Sequence, residues 1–368
     1  MGKQMKVLIV VFNLSVANGV SSFVMNYFRK LDHNTIIMDF VVYQDVETPY
    51  KKEILQAGGK IHVIPSIKNI RQHIKESKKI IIDGQYDIVH DNILILSYFV
   101  MHYAKKYNVP VRILHSHNAK LGETQFKEIR NGLFMPVLRS LATDYAACSK
   151  LAGKAMFGKR DFTYIPNVVD SRKYMYNEVE RLKIRGKYNS KNKRIVGTVG
   201  RLAPQKNPIF AMDVFKKLYE SRKDVEYWWI GNGDMDRQVK DYAEKIGIAD
   251  HVRFWGGRDD VIELYQAMDV FFLPSLFEGL PVTGIEAQAM GLPMVVSDTV
   301  TNEMVYTDLV DYVSLASPLS VWSDHLQAAL SRNVRREAYA EQLKASLFSD
   351  VQCGERLRDV YQRMLEKR

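Results

Sequence analysis

The chain has 368 residues, 46% hydrophobic and 26% charged, a composition that excludes a disordered chain and suggests two domains of ordinary size. Its two cysteines, Cys148 and Cys353, are too few for a disulfide framework or a cysteine-ligated zinc site, which favours a reducing compartment. The formal net charge of +10 favours a phosphorylated substrate or an anionic membrane surface as the partner. The alternative is that the protein is basic without having an anionic partner. Nucleic acid is the weakest partner, because no nucleic-acid-binding motif is present.

No segment has the pattern of a targeting or membrane-spanning sequence. The apolar run at residues 7–12 is too short for a signal-peptide core, and residue 6 is a lysine where a myristoylation site has serine or threonine. The longest apolar run, residues 93–104, is too short to cross a bilayer. We therefore expect a cytoplasmic protein.

The first half of the chain alternates apolar strand segments with helical segments, which predicts a doubly wound parallel sheet in a domain spanning residues 1–170. The predicted strands are residues 6–12, 38–43, 60–64, 87–90, 109–115, 144–148 and 162–165, and the predicted helices are residues 21–31, 49–58, 69–83, 93–107, 126–142 and 149–157.

Residues 171–192 are polar and charged, which predicts a linker before a second α/β domain at residues 193–348. The predicted strands there are residues 194–199, 225–230, 252–255, 269–273 and 292–296, and the predicted helices are residues 208–222, 235–247, 260–267, 283–290, 320–332 and 335–348. A last helix, within residues 349–368, either packs outside the second sheet or returns to the first domain.

Two carboxylates near the end of the second domain are separated by seven residues. Glu278 falls on a loop that leaves a strand, and Glu286 falls in the first turn of the next helix. One interpretation is structural, since Thr283 and Glu286 fit a capping box and Glu278 could be a solvated loop acid. The other is functional: the N–H groups at the helix start attract phosphate, and the two acids accept hydrogen bonds from the hydroxyls of a sugar nucleotide.

The other strand ends of this domain carry glycines and cations. Gly200, Arg201 and Lys206 follow the first strand, and Gly231 and Gly233 follow the second. Arginine and lysine both suit a diphosphate, although each feature alone is also typical of an ordinary turn or a solvated loop. Together, the successive strand ends favour a nucleotide site at the carboxyl edge of the sheet.

Histidines mark two strand ends in the first domain. One strand ends in the sequence His115-Ser-His117-Asn118, and another ends at His90. No set of cysteines or carboxylates with ligand spacing accompanies them, so a polar role at a reacting sugar fits better than a metal site.

The sequence resembles the retaining glycosyltransferases of family four, which have the GT-B fold of two Rossmann-like domains facing each other across a cleft. Within that family it is most similar to the branch that builds bacterial capsular polysaccharides and exopolysaccharides. The resemblance covers nearly the whole chain, and its most specific feature is the pair Glu278 and Glu286 with the surrounding prolines and glycines. The segments 200–207, 165–170 and 115–118 are also similar to the family.

The resemblance implies a role for each candidate residue. Glu286 would bind the donor ribose, Glu278 the donor sugar, and His117 the sugar near the reacting carbon, while Arg201 and Lys206 would neutralise the departing diphosphate. The implied catalytic residues are His117, Glu278, Arg201 and Lys206. The implied donor-binding residues are Gly19, Gly200, Arg201, Lys206, Gly231, Gly233, Glu278, Gly279, Leu280, Pro281 and Glu286. The implied acceptor-side residues are His90, His115 and Asn118.

Three positions depart from the family pattern. Asn18 stands where many relatives have a glycine, Val168 replaces a glycine suited to a positive φ, and Thr283 with Gly284 replaces more apolar residues. We expect a relaxed turn at Val168 and an altered donor-sugar pocket.

The resemblance implies metal-independent transfer of a hexose or N-acetylhexosamine from a nucleotide sugar, expected to be UDP-linked, to a lipid-linked oligosaccharide, without any further cofactor. Closure of the two domains would exclude water. The basic helices at residues 69–83 and 126–142 could rest on anionic lipid at the inner face of the cell membrane. A sugar-nucleotide epimerase and a non-catalytic nucleotide-sugar-binding partner of a polysaccharide synthase are the alternatives.

Overall fold

The computed structural model describes residues 4–16, 18–122 and 125–368, excluding the side chains of residues 125–127. The chain divides into two units. Unit 1 comprises Met1–Val168 and Asp350–Arg368, and unit 2 comprises Val169–Ser349.

Unit 1 is built on a seven-stranded parallel sheet in the order β3-β2-β1-β4-β5-β6-β7. The strands are β1 (Met5–Val10), β2 (Ile36–Val42), β3 (Ile61–Val63), β4 (Ile88–Asp91), β5 (Val111–Ser116), β6 (Asp144–Ala147) and β7 (Thr163–Tyr164). The helices between them are α1 (Gly19–Phe28), α2 (Pro49–Gln56), α3 (Ile70–Gly84), α4 (Tyr98–Lys106), α5 (Gln125–Leu141) and α6 (Lys150–Phe157).

Unit 2 is built on a six-stranded parallel sheet in the order β10-β9-β8-β11-β12-β13. Its helices and strands, in chain order, are α7 (Glu178–Lys187), β8 (Arg194–Val199), α8 (Pro208–Ser221), β9 (Val225–Ile230), α9 (Asp236–Lys245), β10 (Val252–Gly256), α10 (Val261–Ala267), β11 (Val270–Leu273), α11 (Val282–Ala289), β12 (Met294–Ser297), β13 (Val310–Val313), α12 (Leu319–Ser331) and α13 (Tyr339–Ala345). The final helix, α14 (Cys353–Glu366), belongs to unit 1.

The predicted α/β class with two doubly wound parallel sheets is confirmed. The strands are apolar runs because a parallel strand is buried on both faces, as in β9, where all six residues are buried. In each sheet the chain reverses its direction of strand addition beside the first strand, between β1 and β4 in unit 1 and between β8 and β11 in unit 2. Such a switch point leaves a crevice at the carboxyl ends of the strands, where ligands of this fold class bind.

Helix α14 completes the core of unit 1. Leu357, Tyr361 and Met364 are buried in the same apolar cluster as α1 and the sheet. Gly354 permits a close approach to the turn after α1, because a Cβ there would lie 1.9 Å from the carbonyl oxygen of Lys30. The last helix therefore packs on the first domain and not outside the second sheet.

The segment predicted as a linker, residues 171–192, belongs to unit 2. Within it, α7 is anchored by Asp269, which accepts hydrogen bonds from Arg181 at 2.6 Å and from Arg185 at 3.1 Å. The charged composition predicted a linker, but these two arginines are four residues apart on one helical face and reach a buried carboxylate.

Two predicted helices are shorter than their patterns indicated. The helix predicted at residues 93–107 begins at Tyr98, because the preceding residues Leu94–Ser97 form a 3₁₀ helix, at the start of which Leu94 has a φ of 58°. The helix predicted at residues 335–348 is reduced to α13.

Val168 is not among the described residues with a positive φ, so its turn differs from one that requires glycine.

Among the described residues, no helix is both long enough and apolar enough to cross a bilayer.

We predict that Asp269→Asn lowers the free energy of unfolding of unit 2 by about 3–5 kcal/mol, because the buried Arg185 and the partly buried Arg181 lose their charged partner. All four tryptophans, Trp228, Trp229, Trp255 and Trp322, lie in unit 2, so urea unfolding followed by tryptophan fluorescence measures this unit.

The matched control is Asp236→Asn, which removes an exposed pair with Lys240 four residues away on α9. We expect it to change stability by less than about 0.5 kcal/mol. Equal effects of the two substitutions would show that Asp269 does not anchor α7.

Candidate functional site

The loops after β8 and β9 pack backbone against backbone, which explains their glycines. A Cβ on Gly231, whose φ is 136°, would lie 2.2 Å from the carbonyl oxygen of Gly200. A Cβ on Gly233 would lie 2.1 Å from the carbonyl oxygen of Leu202. These glycines therefore have a structural role at the predicted nucleotide edge, and their contact with a nucleotide stays a prediction.

Lys206 and Glu278 form an ion pair that joins the loops after β8 and β11 at the switch point of unit 2. Lys206 Nζ lies 2.6 Å from Glu278 Oε1, which also accepts a hydrogen bond from Ser275 Oγ at 2.8 Å. The other carboxylate oxygen accepts from Gln205 Nε2 at 3.2 Å. Glu278 is only 6% exposed, so it is not the solvated loop acid of the structural interpretation. A carboxylate this deeply buried needs such partners.

Glu286 accepts hydrogen bonds from two tyrosines. The hydroxyl of Tyr174 lies 2.7 Å from Oε1, and that of Tyr265, on α10, lies 2.9 Å from Oε2. Burial raises the pKa of Glu286, and the two hydroxyl donors act in the opposite direction by stabilising the carboxylate. An ionised carboxylate has about four lone-pair positions, so two hydroxyls leave room for a ligand donor.

The capping-box interpretation of Glu286 is wrong. The helix begins at Val282, with Pro281 in the capping position, and no side chain of the described residues caps it. Thr283 is therefore the second residue of α11 and cannot act as its cap. The uncapped helix start leaves first-turn N–H groups for another acceptor.

The remaining predicted residues of unit 2 surround these two acids. Gly279, Leu280 and Pro281 are buried in the loop between β11 and α11. Arg201 follows β8 on the same loop as Lys206, and its side chain is exposed. The structure thus gathers the predicted donor-side residues of unit 2 at one edge of one sheet.

In unit 1, Gly19 is the first residue of α1. The side chain of Asn18 caps this helix, accepting from the backbone N–H of Val20 at 2.9 Å and of Ser21 at 3.3 Å. The approach of Gly19 to phosphate stays a prediction, and at this helix start two of the N–H groups already have Asn18 as their acceptor. This acceptor, Asn18, is the residue that stands where many relatives have a glycine.

The three histidines predicted in unit 1 lie together at the ends of β4 and β5. His90 Nε2 is 2.9 Å from His115 Nδ1, and the rings of His115 and His117 stack with centroids 4.1 Å apart. Burial lowers the pKa of His90 to about 3, and it lowers the pKa of His117 to about 3, with a smaller contribution from His90. Burial also lowers the pKa of His115 well below its ordinary value. The imidazoles are therefore neutral at pH 7.

Asn92 fixes the orientation of His117. Its Nδ2 donates to the carbonyl oxygen of His90 at 3.2 Å, so its Oδ1 is the atom 2.9 Å from His117 Nε2. An amide oxygen can only accept, so Nε2 of His117 carries the hydrogen and Nδ1 is left with a lone pair.

A cavity of about 240 Å³ opens beside these histidines. His115, His117, Asn92 and Asn118 contribute polar groups to its lining. Asn118 also stabilises the turn after β5, since its Oδ1 accepts from the backbone N–H of Ala119 at 2.9 Å. The cavity can therefore hold a polar ligand against neutral imidazole and amide groups.

Sequence reasoning missed residues that hold the predicted ones in place. Among them are Asn92, Tyr174, Gln205 and Tyr265. Gln205 lies within the loop that was identified by its cations Arg201 and Lys206, so its position could have indicated it as a site residue. Tyr174 lay in the segment predicted as a linker, and nothing local distinguished Tyr265 from a core residue.

Within the described ranges, no three histidine, cysteine, aspartate or glutamate side chains form a group that could hold a metal.

The sequence was compared with those of other proteins. The family model for "Glycosyl transferases group 1" matches residues 180–345. EpsF of Bacillus subtilis, by its name a candidate glycosyltransferase, is 30% identical over 354 residues, 91% of this chain and 90% of that protein. The UDP-Gal:alpha-D-GlcNAc-diphosphoundecaprenol alpha-1,3-galactosyltransferase of Escherichia coli is 27% identical over 323 residues, 82% of this chain and 80% of that protein.

A solved structure gives the same fold. HepE of Anabaena, in complex with UDP and glucose, matches 98% of this chain and 100% of its own with a TM-score of 0.79 and 17% identity. The expected GT-B fold, with a Rossmann-like sheet in each domain, is confirmed.

We predict that acid selectively destabilises unit 1, because His90, His115 and His117 are neutral when folded but take up protons when unfolded below a pH of about 6.5. The three histidines outweigh the one opposing group, Asp91, whose pKa burial raises to about 7. Stability is therefore retained above that pH and lost below it, by about 1.4 kcal/mol per pH unit for each histidine. The measurement is urea unfolding at pH 7 and pH 5, followed by far-UV circular dichroism.

Tryptophan fluorescence on the same samples follows unit 2 and serves as the internal control. We expect the two transitions to separate at pH 5, with the circular dichroism transition at lower urea. Transitions that move together would contradict the prediction.

Proposed function

Because the chain belongs to the group 1 glycosyl transferases, we propose that it transfers a sugar from a UDP-linked donor to a lipid-linked saccharide, with retention at the anomeric carbon. The observation that carries this proposal is the pair of acid sites at the switch point of unit 2. There, Glu278 is paired with Lys206, and Glu286 is held by two tyrosines beside an uncapped helix start.

The choice of UDP and of a lipid-linked acceptor is supported by two relatives. HepE was solved with UDP and glucose, and the galactosyltransferase of Escherichia coli is named for a UDP-Gal donor and a diphosphoundecaprenol acceptor. The relatives named for exopolysaccharide and capsule, including CapH of Staphylococcus aureus, favour a role in that kind of biosynthesis.

In this proposal, Lys206, Arg201 and the first-turn N–H groups of α11 bind the diphosphate. Lysine has three donors, so Lys206 can keep its bond to Glu278 while donating to a phosphate oxygen. The bond to Lys206 also offsets the charge of Glu278, which would otherwise repel the diphosphate. A well-placed donor at the departing group contributes roughly 3–4 kcal/mol to transition-state stabilisation, and no metal is required for this step.

The proposal assigns Glu286 to the ribose hydroxyls and Glu278 to the donor sugar. Both carboxylates are fixed before a ligand arrives, because unit 2 itself supplies the donors that hold them. Ser275 lies on the same loop as Glu278, and the other donors come from other loops and helices. In unit 1, His117 is assigned to the reacting sugar and the cavity beside His115 to the acceptor side.

We predict that Glu286→Gln weakens UDP binding by about 10–150-fold, since a hydrogen bond to a charged group contributes about 1.5–3 kcal/mol. The measurement is isothermal calorimetry with UDP, supported by a thermal-shift screen over UDP-sugars.

The control is Glu244→Gln, on the exposed face of α9 in the same unit, which should bind UDP as the wild type does. If UDP-sugars stabilise the wild type and Glu286→Gln equally, the assignment of Glu286 is wrong.

We predict that Lys206→Met lowers the rate of sugar transfer by roughly 10²–10³-fold, because the departing diphosphate loses a preorganised donor. The measurement is the single-turnover rate with a UDP-sugar and a lipid-linked acceptor. Lys245→Met, on exposed α9, is the control.

Product analysis with UDP-GlcNAc and no acceptor accompanies this experiment. A C2 epimer of the donor sugar would favour the epimerase alternative. UDP-sugar binding without transfer or hydrolysis would favour the non-catalytic binder.

We also propose that α5 rests on an anionic membrane surface, where a lipid-linked acceptor resides. This helix exposes Ile129, Leu133, Phe134 and Val137, with exposed fractions from 47% to 75%, and the exposed Arg130 lies beside them. An apolar strip with a neighbouring cation suits the interface of an anionic bilayer.

We predict that Leu133→Glu abolishes co-sedimentation with phosphatidylglycerol vesicles, since it places a charge in the apolar strip. The control is Leu182→Glu on α7 of unit 2, where the leucine is also exposed, at 56%. Binding that survives Leu133→Glu, or that occurs equally on neutral vesicles, would contradict the proposal.

A further inference from the structure

Three side chains form a buried chain of hydrogen bonds from the C-terminal helix to the cavity of unit 1. The hydroxyl of Tyr361, on α14, is 2.8 Å from His90 Nδ1, and His90 Nε2 is 2.9 Å from His115 Nδ1. Tyr361 and His115 are fully buried, and His90 is 2% exposed. His115 also lines the cavity, so the hydrogen bonds connect α14 with the predicted acceptor side.

The hydroxyl of Tyr361 determines which nitrogen of each imidazole carries its hydrogen. Among the described residues, His90 Nδ1 is the hydrogen-bond partner of this hydroxyl. If the hydroxyl accepted a hydrogen from Nδ1, its own O–H would be buried without an acceptor, which costs about 1–3 kcal/mol. The favoured arrangement has Tyr361 donating to His90 Nδ1.

The direction of that first bond fixes the second. A neutral imidazole has one N–H and one lone pair, so a His90 ring that accepts at Nδ1 must donate from Nε2. His115 then accepts at Nδ1 and carries its own hydrogen at Nε2. Burial keeps both rings neutral, because it lowers the pKa of each well below neutral pH.

We propose that Tyr361 is a positioning residue, which acts through His90 to hold His115 in the Nε2–H tautomer and so makes it a hydrogen-bond donor to the ligand of the cavity. His115 Nε2 is buried and has no hydrogen-bond partner in the part of the chain that the structure describes. It is therefore the open end of the chain of hydrogen bonds. An oxygen acceptor, such as a sugar hydroxyl or an acetamido carbonyl, suits it, whereas the opposite tautomer would reject a carbonyl.

This inference rests on the proposed function, which places a saccharide in the cavity, but its first test does not. The full chain, labelled with ¹⁵N-histidine, reports the tautomer of each ring by NMR at pH 7, with His90 and His115 assigned by His90→Gln and His115→Gln. We expect the Nε2–H tautomer at both rings of the wild type. An Nδ1–H tautomer at His115 in the wild type overturns the proposal without requiring any variant of Tyr361.

The decisive comparison is Tyr361→Phe against Tyr27→Phe. Tyr27 is also buried in the core of unit 1, and its hydroxyl donates to the carbonyl oxygen of Pro166 at 2.7 Å rather than to a histidine. Tyr361→Phe should introduce the Nδ1–H tautomer at His90 and His115, whereas Tyr27→Phe should leave both tautomers unchanged. Unchanged tautomers in Tyr361→Phe would overturn the proposal.

The kinetic test uses the same two variants with a UDP-sugar and a lipid-linked acceptor. We expect Tyr361→Phe to lower kcat/KM for the acceptor by about tenfold, with an unchanged KM for the donor, since about one hydrogen bond is lost. An equal loss in Tyr27→Phe would indicate a merely structural role and overturn the proposal. If the tautomers are as expected but no sugar is transferred, the proposed function fails and the positioning of His115 stands.

Discussion

The parallel direction of the strands is the constraint on which the rest of each unit depends. Throughout the described chain, paired strands run in the same direction, so every strand of a sheet ends at the same edge. The strands themselves are buried on both faces and therefore apolar, which leaves the loops at this edge to carry the polar chemistry. At the two switch points the loops diverge and leave a crevice. The acids of unit 2 and the histidines of unit 1 lie at these edges for this reason.

Polar groups in such a crevice are partly removed from water, and each needs a compensating partner. Glu278 has a cation and two neutral donors, Glu286 has two tyrosine hydroxyls, and the imidazoles of His90 and His115 share one hydrogen bond. Most of the partners come from other loops and helices, so the folded chain fixes the positions of these groups without a ligand. Little reorganisation is then needed when a charged substrate binds, which is the condition for strong electrostatic stabilisation.

The sequence predicted the features that depend on local pattern. The apolar runs located the strands, and β8 and β9 coincide with their predicted ranges. Strand ends then indicated Lys206 and Glu278 as candidates, although not that they pair. The partners of Glu286 could not be predicted, because Tyr174 and Tyr265 become its neighbours only through tertiary packing. The same limit explains residues 171–192, whose arginines are paired with Asp269 rather than solvated. Local capping rules also failed at Thr283, since the helix already begins at Val282, with Pro281 in the capping position.

The place of α14 has a consequence for the order in which the protein folds during synthesis. Unit 1 needs Leu357, Tyr361 and Met364 for its core, whereas unit 2 is encoded entirely between Val169 and Ser349. Ribosomes add about 5–20 residues per second, so about 10–40 s pass between the emergence of β7 and that of α14. During this interval the apolar face of α1 lacks the helix that covers it. Unit 2 can complete its fold during this interval. The second unit in the sequence is therefore the first that can be finished, and an apolar surface of the first unit stays exposed to chaperones until the last helix is made.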